Sequence, residues 1–308
     1  MRPWARPLLA ATMLLGACAT GSSTPRDSQS LPPDERVADA SPAGAWVMLS
    51  AGKLSVGSPA GEACRSQGEQ QREVTLTRSF DISASEVTQG LFKEVMGYNP
   101  AKHAFCFPSC PVESVSWHEA AAYCNALSAR IGLQRCYSCT GTDATVACSV
   151  VAAFANGSIA GCTGYRLPTE AEWEHAYRAG TTDAYYSGAS AGAGPNGDCC
   201  VVDANLDKIG WYDKNSGGVA HAVGQKEPNA WGLRDMAGNV AEWVHDGWQD
   251  VPPGGASADP VGPETSAQRT VRGGAYYFCA GLARAAQRGG REPTVREPYI
   301  GLRCVRSR

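Results

Sequence analysis

One stretch of the chain places three oxygen-bearing side chains, Asp235, Asn239 and Glu242, between Trp231 and Trp243. It follows neither the period of about 2 expected of a strand nor the period of about 3.6 expected of a helix. Irregular backbone must still satisfy its polar groups, and a hard cation that gathers carboxylate, amide and carbonyl oxygens is one way to do so. The stretch therefore predicts either a calcium site or a Gly-Asn turn flanked by two core tryptophans and solvated acids.

Cysteines are the second group that could do chemistry, since the chain has 13 of them. Cys136 and Cys139 have the spacing of a redox pair, and together with Cys148 and Cys162 they could bind zinc. The segment of residues 134–164 has no histidine, and the N-terminus predicts export to an oxidising compartment. Disulfides within an inserted loop are therefore the favoured interpretation.

Two further groups of cysteines bear on the disulfide framework. Cys106 and Cys110 could close a small loop. Cys199 and Cys200 are adjacent, and adjacent cysteines rarely bond to each other because the geometry is strained. We therefore expect each of these two to pair elsewhere in the chain.

Residues 1–17 have the layout of a bacterial lipoprotein signal peptide, with two arginines before a short apolar run. The run is too short to span a bilayer. Residues 15–18 resemble a lipobox, so we expect Cys18 to carry the lipid that anchors an exported protein to the membrane. An ordinary cleaved signal is the alternative. By resemblance to bacterial lipoproteins, Ala19 favours the outer membrane over the inner one.

Residues 18–44 are rich in small and polar residues with almost no large apolar side chain, so we expect a flexible tether. Residues 45–308 can form one sizeable core, and no second linker or internal repeat argues for two domains. The formal charge of -3, without a Lys/Arg cluster, gives no footprint for nucleic acid. With Cys18 set aside, the cysteines are even in number, which fits a disulfide framework.

Two capping boxes predict helices over residues 116–129 and 169–180. A shorter helix, capped by Ser85, should end at Gly97. Residues 73–82 alternate apolar with polar and predict one half-buried strand. The second main helix carries acids near its positive end, where stabilisation by the helix dipole is favoured over acid/base catalysis: Glu170, Glu172 and Glu174.

Motifs in this order along the chain resemble the formylglycine-generating enzyme family, also called the sulfatase-modifying factor domain. They are GYRLPTEAEWE at 164–174, NVAEW at 239–243, RGG at 272–274 and IGLRC at 300–304. The resemblance covers roughly Trp46 to Arg306. It implies an irregular, loop-rich and disulfide-rich α+β domain related to C-type lectins, and a low content of regular structure agrees with 35 Gly and 19 Pro.

The resemblance also implies two calcium ions. The ligands expected at the first are the side chains of Asn205 and Asn215 and the backbone oxygens of Leu206 and Gly217. The ligands expected at the second are the side chains of Asp235 and Glu242 and the carbonyls of Gly238 and Val240. Every position offers an oxygen donor, so we expect both sites to be intact and structural.

Activity in the family belongs to two cysteines, five positions apart after the Arg-Gly-Gly motif, that bind copper and activate oxygen. Here residues 272–288 contain one cysteine, Cys279, and Ala275 stands where active enzymes have serine. Counting forward from Gly274 puts Phe278 at the first cysteine position. Soft Cu(I) needs both sulfurs, so the sequence argues against copper. A disulfide from Cys279, to Cys199 or Cys200, is favoured over a role as a lone nucleophile.

The resemblance implies one more disulfide, from the first main helix to the C-terminus. Here that bridge would join Cys124 to Cys304. A second family bridge would need cysteines at positions 177 and 285, where this chain has Tyr177 and Ala285. Both halves of that pair are missing together, so no orphan thiol remains.

The first function hypothesis is a membrane-anchored binding or structural module, without formylglycine-generating activity, whose pocket binds an extended peptide or a glycan. The alternative is an oxygen-dependent oxidase that converts a cysteine of a client sulfatase to formylglycine. The absent cysteine pair favours the first over the second. A lectin-like sugar binder is a third hypothesis that rests on fold analogy alone.

Overall fold

The computed structural model describes residues 45–308. The signal peptide of residues 1–17, the lipidation of Cys18 and the tether of residues 18–44 lie outside the described residues. Among the described helices, none has both the length and the apolar character needed to cross a bilayer.

Short strands, four α-helices and long stretches of coil make up the described residues. The helices are α1 (Gln89–Met96), α2 (Trp117–Arg130), α3 (Glu170–Arg178) and α4 (Ala204–Ile209). The strands are β1 (Trp46–Leu49), β2 (Gly52–Val56), β3 (Arg72–Leu76), β4 (Phe80–Ser83), β5 (Tyr137–Thr140), β6 (Ala147–Val150), β7 (Tyr165–Arg166), β8 (Gly210–Trp211), β9 (Ala237–Gly238), β10 (Ala241–Gly247), β11 (Ser257–Ala258), β12 (Arg269–Arg272), β13 (Gly289–Arg291), β14 (Ile300–Leu302) and β15 (Val305–Ser307).

Two four-stranded sheets organise the domain, with strand orders β1-β4-β15-β7 and β13-β12-β10-β14. A three-stranded sheet has the order β11-β3-β2, and β5-β6 and β8-β9 form two-stranded pairs. The last strand, β15, pairs with β4 with Val305 opposite Ile82, and with β7 with Val305 opposite Arg166. The C-terminal strand β15 therefore lies between β4 and β7, in the sheet that has the first described strand, β1, at its edge.

The single strand predicted over residues 73–82 is wrong, because the chain forms β3 and β4 in different sheets. At the break, the backbone N–H of Thr77 donates to the carboxylate of Asp259 at 2.8 Å instead of to a strand partner. Alternation of apolar and polar residues cannot reveal the change of sheet, since both strands keep the same period.

The helix ends follow from their capping residues. Both predicted capping boxes are confirmed, with Ser116 and Glu119 at α2 and Thr169 and Glu172 at α3. The start predicted for the first helix is wrong, because the hydroxyl of Thr88 accepts the N–H of Leu91 and caps α1 in place of Ser85. Gly97 ends α1 as predicted, at a φ of 86° that glycine adopts without strain.

The core contains three fully buried tryptophans whose indole N–H groups all have acceptors. The pairs are Trp117 with the Val244 carbonyl at 2.9 Å, Trp173 with Glu242 Oε2 at 2.7 Å, and Trp243 with the Val115 carbonyl at 2.8 Å. Two of the three acceptors belong to β10, and the tryptophans belong to α2, α3 and β10. These bonds fix both main helices against one strand.

The acids at the start of α3 are buried and paired with arginines. The ion pairs are Glu170 with Arg288, Glu172 with Arg166, and Glu174 with Arg178 and Arg272. A buried carboxylate that lost its arginine would be left as an uncompensated charge, at a cost of about 3–5 kcal/mol. The described contacts therefore give the three acids a structural role as ion-pair partners, and their stabilisation by the helix dipole stays a prediction.

Five disulfides connect the described coil segments. They are Cys64–Cys199, Cys106–Cys110, Cys136–Cys162, Cys139–Cys148 and Cys200–Cys279. The predicted small loop, the two bridges inside residues 134–164, and separate partners for the adjacent cysteines are all confirmed. The bond of Cys279 to Cys200 is one of the two pairings that the sequence left open.

The bridge expected between Cys124 and Cys304 stays a prediction. Both residues are buried, and their Sγ atoms lie 2.6 Å apart, but the structure leaves both as free thiols. Burial raises the pKa of the Cys304 thiol, and so does the neighbouring Cys124. The distance of 2.6 Å between the two sulfurs brings them close enough for a bond between α2 and the C-terminal segment to form with a small movement.

We expect peptide mapping of the unreduced, exported protein to find Cys124 joined to Cys304. This bridge spans 180 positions, whereas Cys139–Cys148 spans 9. Because a longer loop restricts the unfolded chain more, replacing Cys124 and Cys304 by alanine should cost about 2–3 kcal/mol more than replacing Cys139 and Cys148. Denaturant unfolding measures the difference. Alkylation of both residues in the unreduced protein would contradict the prediction.

Candidate functional site

The irregular stretch of residues 228–246 is held in place by Asn229. Its side-chain oxygen accepts the N–H groups of Trp231 and Leu233, and its amide donates to the carbonyls of Ala176 and Tyr177 on α3. Side-chain bonds of this kind replace the hydrogen bonds that a helix or a sheet would supply. Residues 228–236 are therefore ordered without regular structure, as the sequence predicts. The prediction of irregular backbone is wrong for residues 241–246, which lie in β10, because pairing with β12 and β14 makes a strand of a segment that is buried on both faces and has no alternation.

The chain turns at and beside β9 through residues in the left-handed backbone conformation. Asp235, Gly238 and Asn239 have φ values of 57°, 76° and 56°. A side chain at Gly238 would place its Cβ 2.2 Å from the carbonyl oxygen of Trp211, so only glycine fits there. These turns bring the side chains of Asp235 and Asn239 to the buried end of β10.

Three buried carboxyl groups meet at this point, on Glu86, Asp235 and Glu242. Glu242 accepts hydrogen bonds from Arg303 through both oxygens, at 2.6 and 2.7 Å, and a third from Trp173. Glu86 accepts the amide of Asn239 at 2.7 Å and a backbone N–H at 3.0 Å. No sequence pattern indicates Glu86, because it lies more than a hundred positions away from the motif it contacts.

We call Glu86, Asp235 and Glu242 the carboxyl cluster. Asp235 is the member with a carboxylate oxygen that accepts no hydrogen bond within residues 45–308. One oxygen, Oδ2, accepts the N–H of Gly224 at 2.7 Å, while Oδ1 is buried without a hydrogen-bond partner among the described residues. Burial, with a smaller effect of the charge of Glu242, raises the pKa of Asp235 to about 6, although the hydrogen bond from Gly224 and the charge of Arg303 act to lower it. A buried oxygen of this kind is a position where a cation would be stabilised.

Glu86 is a second carboxyl group of this cluster whose ionised form is unfavourable. Burial raises its pKa well above the ordinary value, and the charges of Asp235 and Glu242 act in the same direction. The Arg303 guanidinium opposes this, but it already forms a two-oxygen ion pair with Glu242. If all three carboxyls were ionised, the cluster would hold more buried negative charge than Arg303 offsets. The raised pKa of Glu86 means that it keeps its proton instead, and a divalent cation is a second way to offset this charge.

The second predicted calcium site fits this geometry in part. Asp235 offers a buried, unused oxygen, Gly238 follows it at the end of β9, and Val240 lies directly before β10. Glu242 is mainly an ion-pair and hydrogen-bond partner here, with Arg303 and Trp173 on its oxygens. If a calcium ion binds, it would supply charge neutralisation and order to the coil, and Glu86 would lie beside it.

The first predicted calcium site fits less well. Asn205 and Leu206 lie on α4, and Asn215 and Gly217 lie in the turn that follows β8. Asn215 Oδ1 accepts the N–H of Tyr212 at 2.9 Å, and Asn205 Oδ1 faces the ammonium of Lys208 at 3.4 Å. The two oxygens proposed as calcium ligands are therefore directed at donors within the protein.

The segment after the Arg-Gly-Gly motif lies directly against the irregular stretch. The N–H of Tyr276 donates to the carbonyl of Asn239 at 2.8 Å, and the Phe278 carbonyl accepts the N–H of Asp213 at 3.1 Å. Cys279 is bonded to Cys200. The segment is thus anchored by backbone hydrogen bonds and by one disulfide.

Sulfur and carboxylate atoms come close together at this segment, with Cys200, Asp213 and Cys279 within 4.8 Å of one another. The two sulfurs are bonded to each other, so neither is a thiolate that could bind a soft metal. Ala275 is buried where active enzymes of the resembled family have a serine. In the described part of the chain, the segment offers no second cysteine.

Aromatic side chains cover the outer face of the segment. Tyr277 packs against Tyr299 with ring centroids 4.9 Å apart, and Phe278 packs against the same ring at 5.1 Å. Tyr276 meets the ring of His103 edge-on at 5.5 Å. Tyr277 is 42% exposed, His103, Phe278 and Tyr299 are half-buried, and Tyr276 is buried, so Tyr277 is the ring of this group most open to a ligand. We call Tyr276, Tyr277, Phe278, Tyr299 and His103 the aromatic surface.

Residues 33–308 match the family described as the sulfatase-modifying factor enzyme 1-like domain. The chaperone protein LppX of Paenibacillus barcinonensis is 31% identical over 265 residues, which cover 77% of this chain and 83% of the relative. The formylglycine-generating enzyme of Streptomyces coelicolor is 33% identical over 148 residues, which cover 46% of each chain. The chain thus spans about half the length of that enzyme.

Solved structures agree with the fold. The Treponema denticola variable protein 1 superposes with a TM-score of 0.71 and 29% identity, covering 85% of this chain and 95% of that one. PvdO from Pseudomonas aeruginosa superposes with a TM-score of 0.66 at 24% identity, covering 88% and 97%. The predicted irregular, loop-rich α+β fold is confirmed.

The carboxyl cluster leads to a prediction about calcium. We expect the melting temperature of chelator-treated protein to rise with added calcium, by the equivalent of about 2.7 kcal/mol at a hundredfold excess over Kd. Asp235→Asn should remove much of this response, because it removes the buried anionic oxygen. Without calcium the variant should melt no lower than the natural protein, since one repulsion within the cluster is relieved.

The matched control is Glu73→Gln, at an exposed position on β3. It removes the same charge at an exposed position outside the buried cluster and should leave the calcium response unchanged. Differential scanning calorimetry with calcium and with chelator measures all three proteins. A full calcium response in Asp235→Asn would show that this oxygen is not a ligand.

Proposed function

The chain belongs to the sulfatase-modifying factor enzyme 1-like family, and from this premise we propose that it is a calcium-stabilised module that binds an extended peptide or a glycan. In this proposal it lacks the copper-dependent oxidase activity of the formylglycine-generating enzymes. Its lipid anchor is Cys18, and its location is the outer membrane of a bacterium. The proposal has three parts: lost oxidase chemistry, a retained scaffold and an altered surface.

The single observation that carries the loss of oxidase chemistry is the Cys200–Cys279 disulfide. Copper-dependent activation of oxygen in the family uses two cysteines of the segment after Arg-Gly-Gly, and a disulfide sulfur is not a thiolate ligand. Phe278 occupies the position that forward counting gives to the first cysteine. An aromatic ring there supplies contact area and no metal ligand.

The aromatic surface supports binding in place of the lost chemistry. Aromatic rings offer large apolar faces at little cost in side-chain entropy, and they are enriched where proteins contact peptides and sugars. Here the backbone that carries the rings is held in place, because Tyr276 and Phe278 form backbone hydrogen bonds with other segments. A pre-ordered surface loses less entropy when a ligand binds.

A relative that is named a chaperone favours the peptide over the glycan as the ligand. The similarity to it extends over 77% of this chain, well beyond the portion shared with the oxidases. A chaperone contacts segments of other proteins, and exposed aromatic side chains suit extended segments with apolar residues. The glycan is the second candidate and would use the same rings.

The oxidase is the alternative function, and the 33% identity to the Streptomyces coelicolor enzyme favours it. We expect the full-length protein in non-ionic detergent, given copper, oxygen and a reductant, to leave a Cys-x-Pro-x-Arg peptide unchanged. Mass spectrometry detects the thiol-to-aldehyde conversion, and the Streptomyces coelicolor enzyme is the positive control. Conversion that disappears in Cys279→Ser would refute the proposed loss of activity.

The binding surface has its own test. We expect some members of an array of synthetic extended peptides to bind the full-length protein. Tyr277→Ala should lower the affinity for these peptides about tenfold, as expected for a central aromatic contact. Met48→Ala is the matched control, because Met48 is an exposed apolar residue on β1. Equal losses in both variants would argue against the aromatic surface. Binding to a glycan array alone would select the second ligand class.

A further inference from the structure

A cleft of about 280 Å³ opens beside the start of α3 and shares no lining residue with the aromatic surface. Its floor carries four charged side chains, which are Arg72, Glu170, Asp246 and Arg288. One wall is apolar and comes from residues 252–263, with proline rings at positions 252, 253, 260 and 263. The cleft therefore combines a charged floor with a stiff apolar wall.

The two carboxylates of the floor already have their partners within the protein. Asp246 accepts the N–H groups of Glu170 and Gly262, both at 2.7 Å. Glu170 forms a two-oxygen ion pair with Arg288, whose guanidinium also donates to the Gln249 carbonyl at 2.9 Å. These groups shape the cleft, but their hydrogen-bonding capacity is largely used.

Arg72 is different from the other buried arginines of this region. It is half-buried on β3, where its backbone pairs with β2, but its guanidinium forms no hydrogen bond with any described residue, although it lines both the cleft and a smaller adjoining cavity. Burial lowers its pKa, while the nearby charges of Glu170 and Glu174 raise it. An arginine remains protonated in a protein, so the planar donors of Arg72 are charged and available to a ligand.

Charge balance on the floor favours a ligand with one negative charge. The charge of Arg288 is matched by Glu170, which leaves Arg72 as the cation without a paired carboxylate. A dianion such as phosphate would meet repulsion from Glu170 and from the ionised fraction of Asp246, whose pKa is raised to about 7 by burial and by Glu170. A carboxylate has one charge and two oxygens at the spacing of the guanidinium fork.

We propose that this cleft is a second binding site, which takes a carboxylate carried on a small apolar body. The guanidinium of Arg72 donates to both carboxylate oxygens, and the apolar body packs on the proline wall. Two sources carry this chemistry, a free organic acid and the C-terminal residue of a peptide. The site is independent of the aromatic surface and of any oxidase activity.

The test uses isothermal titration calorimetry on the full-length protein in non-ionic detergent. The probes are N-acetyl-L-leucine, its uncharged amide, and inorganic phosphate. We expect the acid to bind at least tenfold more tightly than the amide and than phosphate. Equal binding of acid and amide would overturn the proposal, and tighter binding of phosphate would overturn its choice of a monoanion.

Three variants locate the binding. Arg72→Gln should weaken binding of the acid at least tenfold and lower the melting temperature only slightly, because the guanidinium interacts with Glu170 and Glu174 through charge and forms no hydrogen bond with the described residues. Arg72→Lys should lower the affinity for the acid by a smaller factor, since an ammonium keeps the charge but lacks the planar fork of a guanidinium. The matched control is Arg78→Gln, an exposed arginine that follows β3 and should have no effect. Unchanged binding in Arg72→Gln would overturn the proposal.

A final comparison separates the two sources of the carboxylate. Peptides of one to four residues that end in leucine, each with a free C-terminus, are titrated in series. Affinity that rises with length supports a peptide C-terminus as the ligand, and affinity that stays constant supports a free acid. No binding to any member of the series would overturn the proposal.

Discussion

Glu242 on β10 accepts two hydrogen bonds from Arg303 and one from Trp173, and all three side chains are buried. Arg303 lies between β14 and β15, and Trp173 lies on α3, so one carboxylate joins both four-stranded sheets to a main helix. Removal of one partner from such a group leaves a buried charge without compensation. The positions of β10, β12 and the Arg-Gly-Gly segment depend on this contact.

The same design recurs around α3, where buried arginines and carboxylates replace part of an apolar core. Short strands bury little apolar surface each, so polar contacts and disulfides must hold the coil between them. Almost every buried arginine of this network has a carboxylate or several carbonyls as partners. Arg72 stands out against that background, because a half-buried guanidinium with unused donors is available for a ligand.

The arrangement also explains how a family member can lose its chemistry and keep its fold. Backbone groups hold the segment after Arg-Gly-Gly, through Tyr276 to Asn239 and through Phe278 to Asp213. Such bonds do not depend on the side chains at those positions. The segment can therefore exchange a thiol for an aromatic ring, and function can change while the scaffold stays the same.

The sequence by itself determined the family, the irregular α+β fold, both main helices and the presence, but not the pairing, of disulfides inside residues 134–164, because short motifs and capping boxes act locally. It misplaced the start of α1 and merged β3 with β4, since periodicity does not report which sheet a strand joins. Only the tertiary structure placed Glu86 beside Asp235, chose Cys200 for Cys279, and left the Arg72 guanidinium without an ion pair among residues 45–308, in a proline-walled cleft. Each of these is a contact between residues far apart in the chain, and its partner is selected by packing.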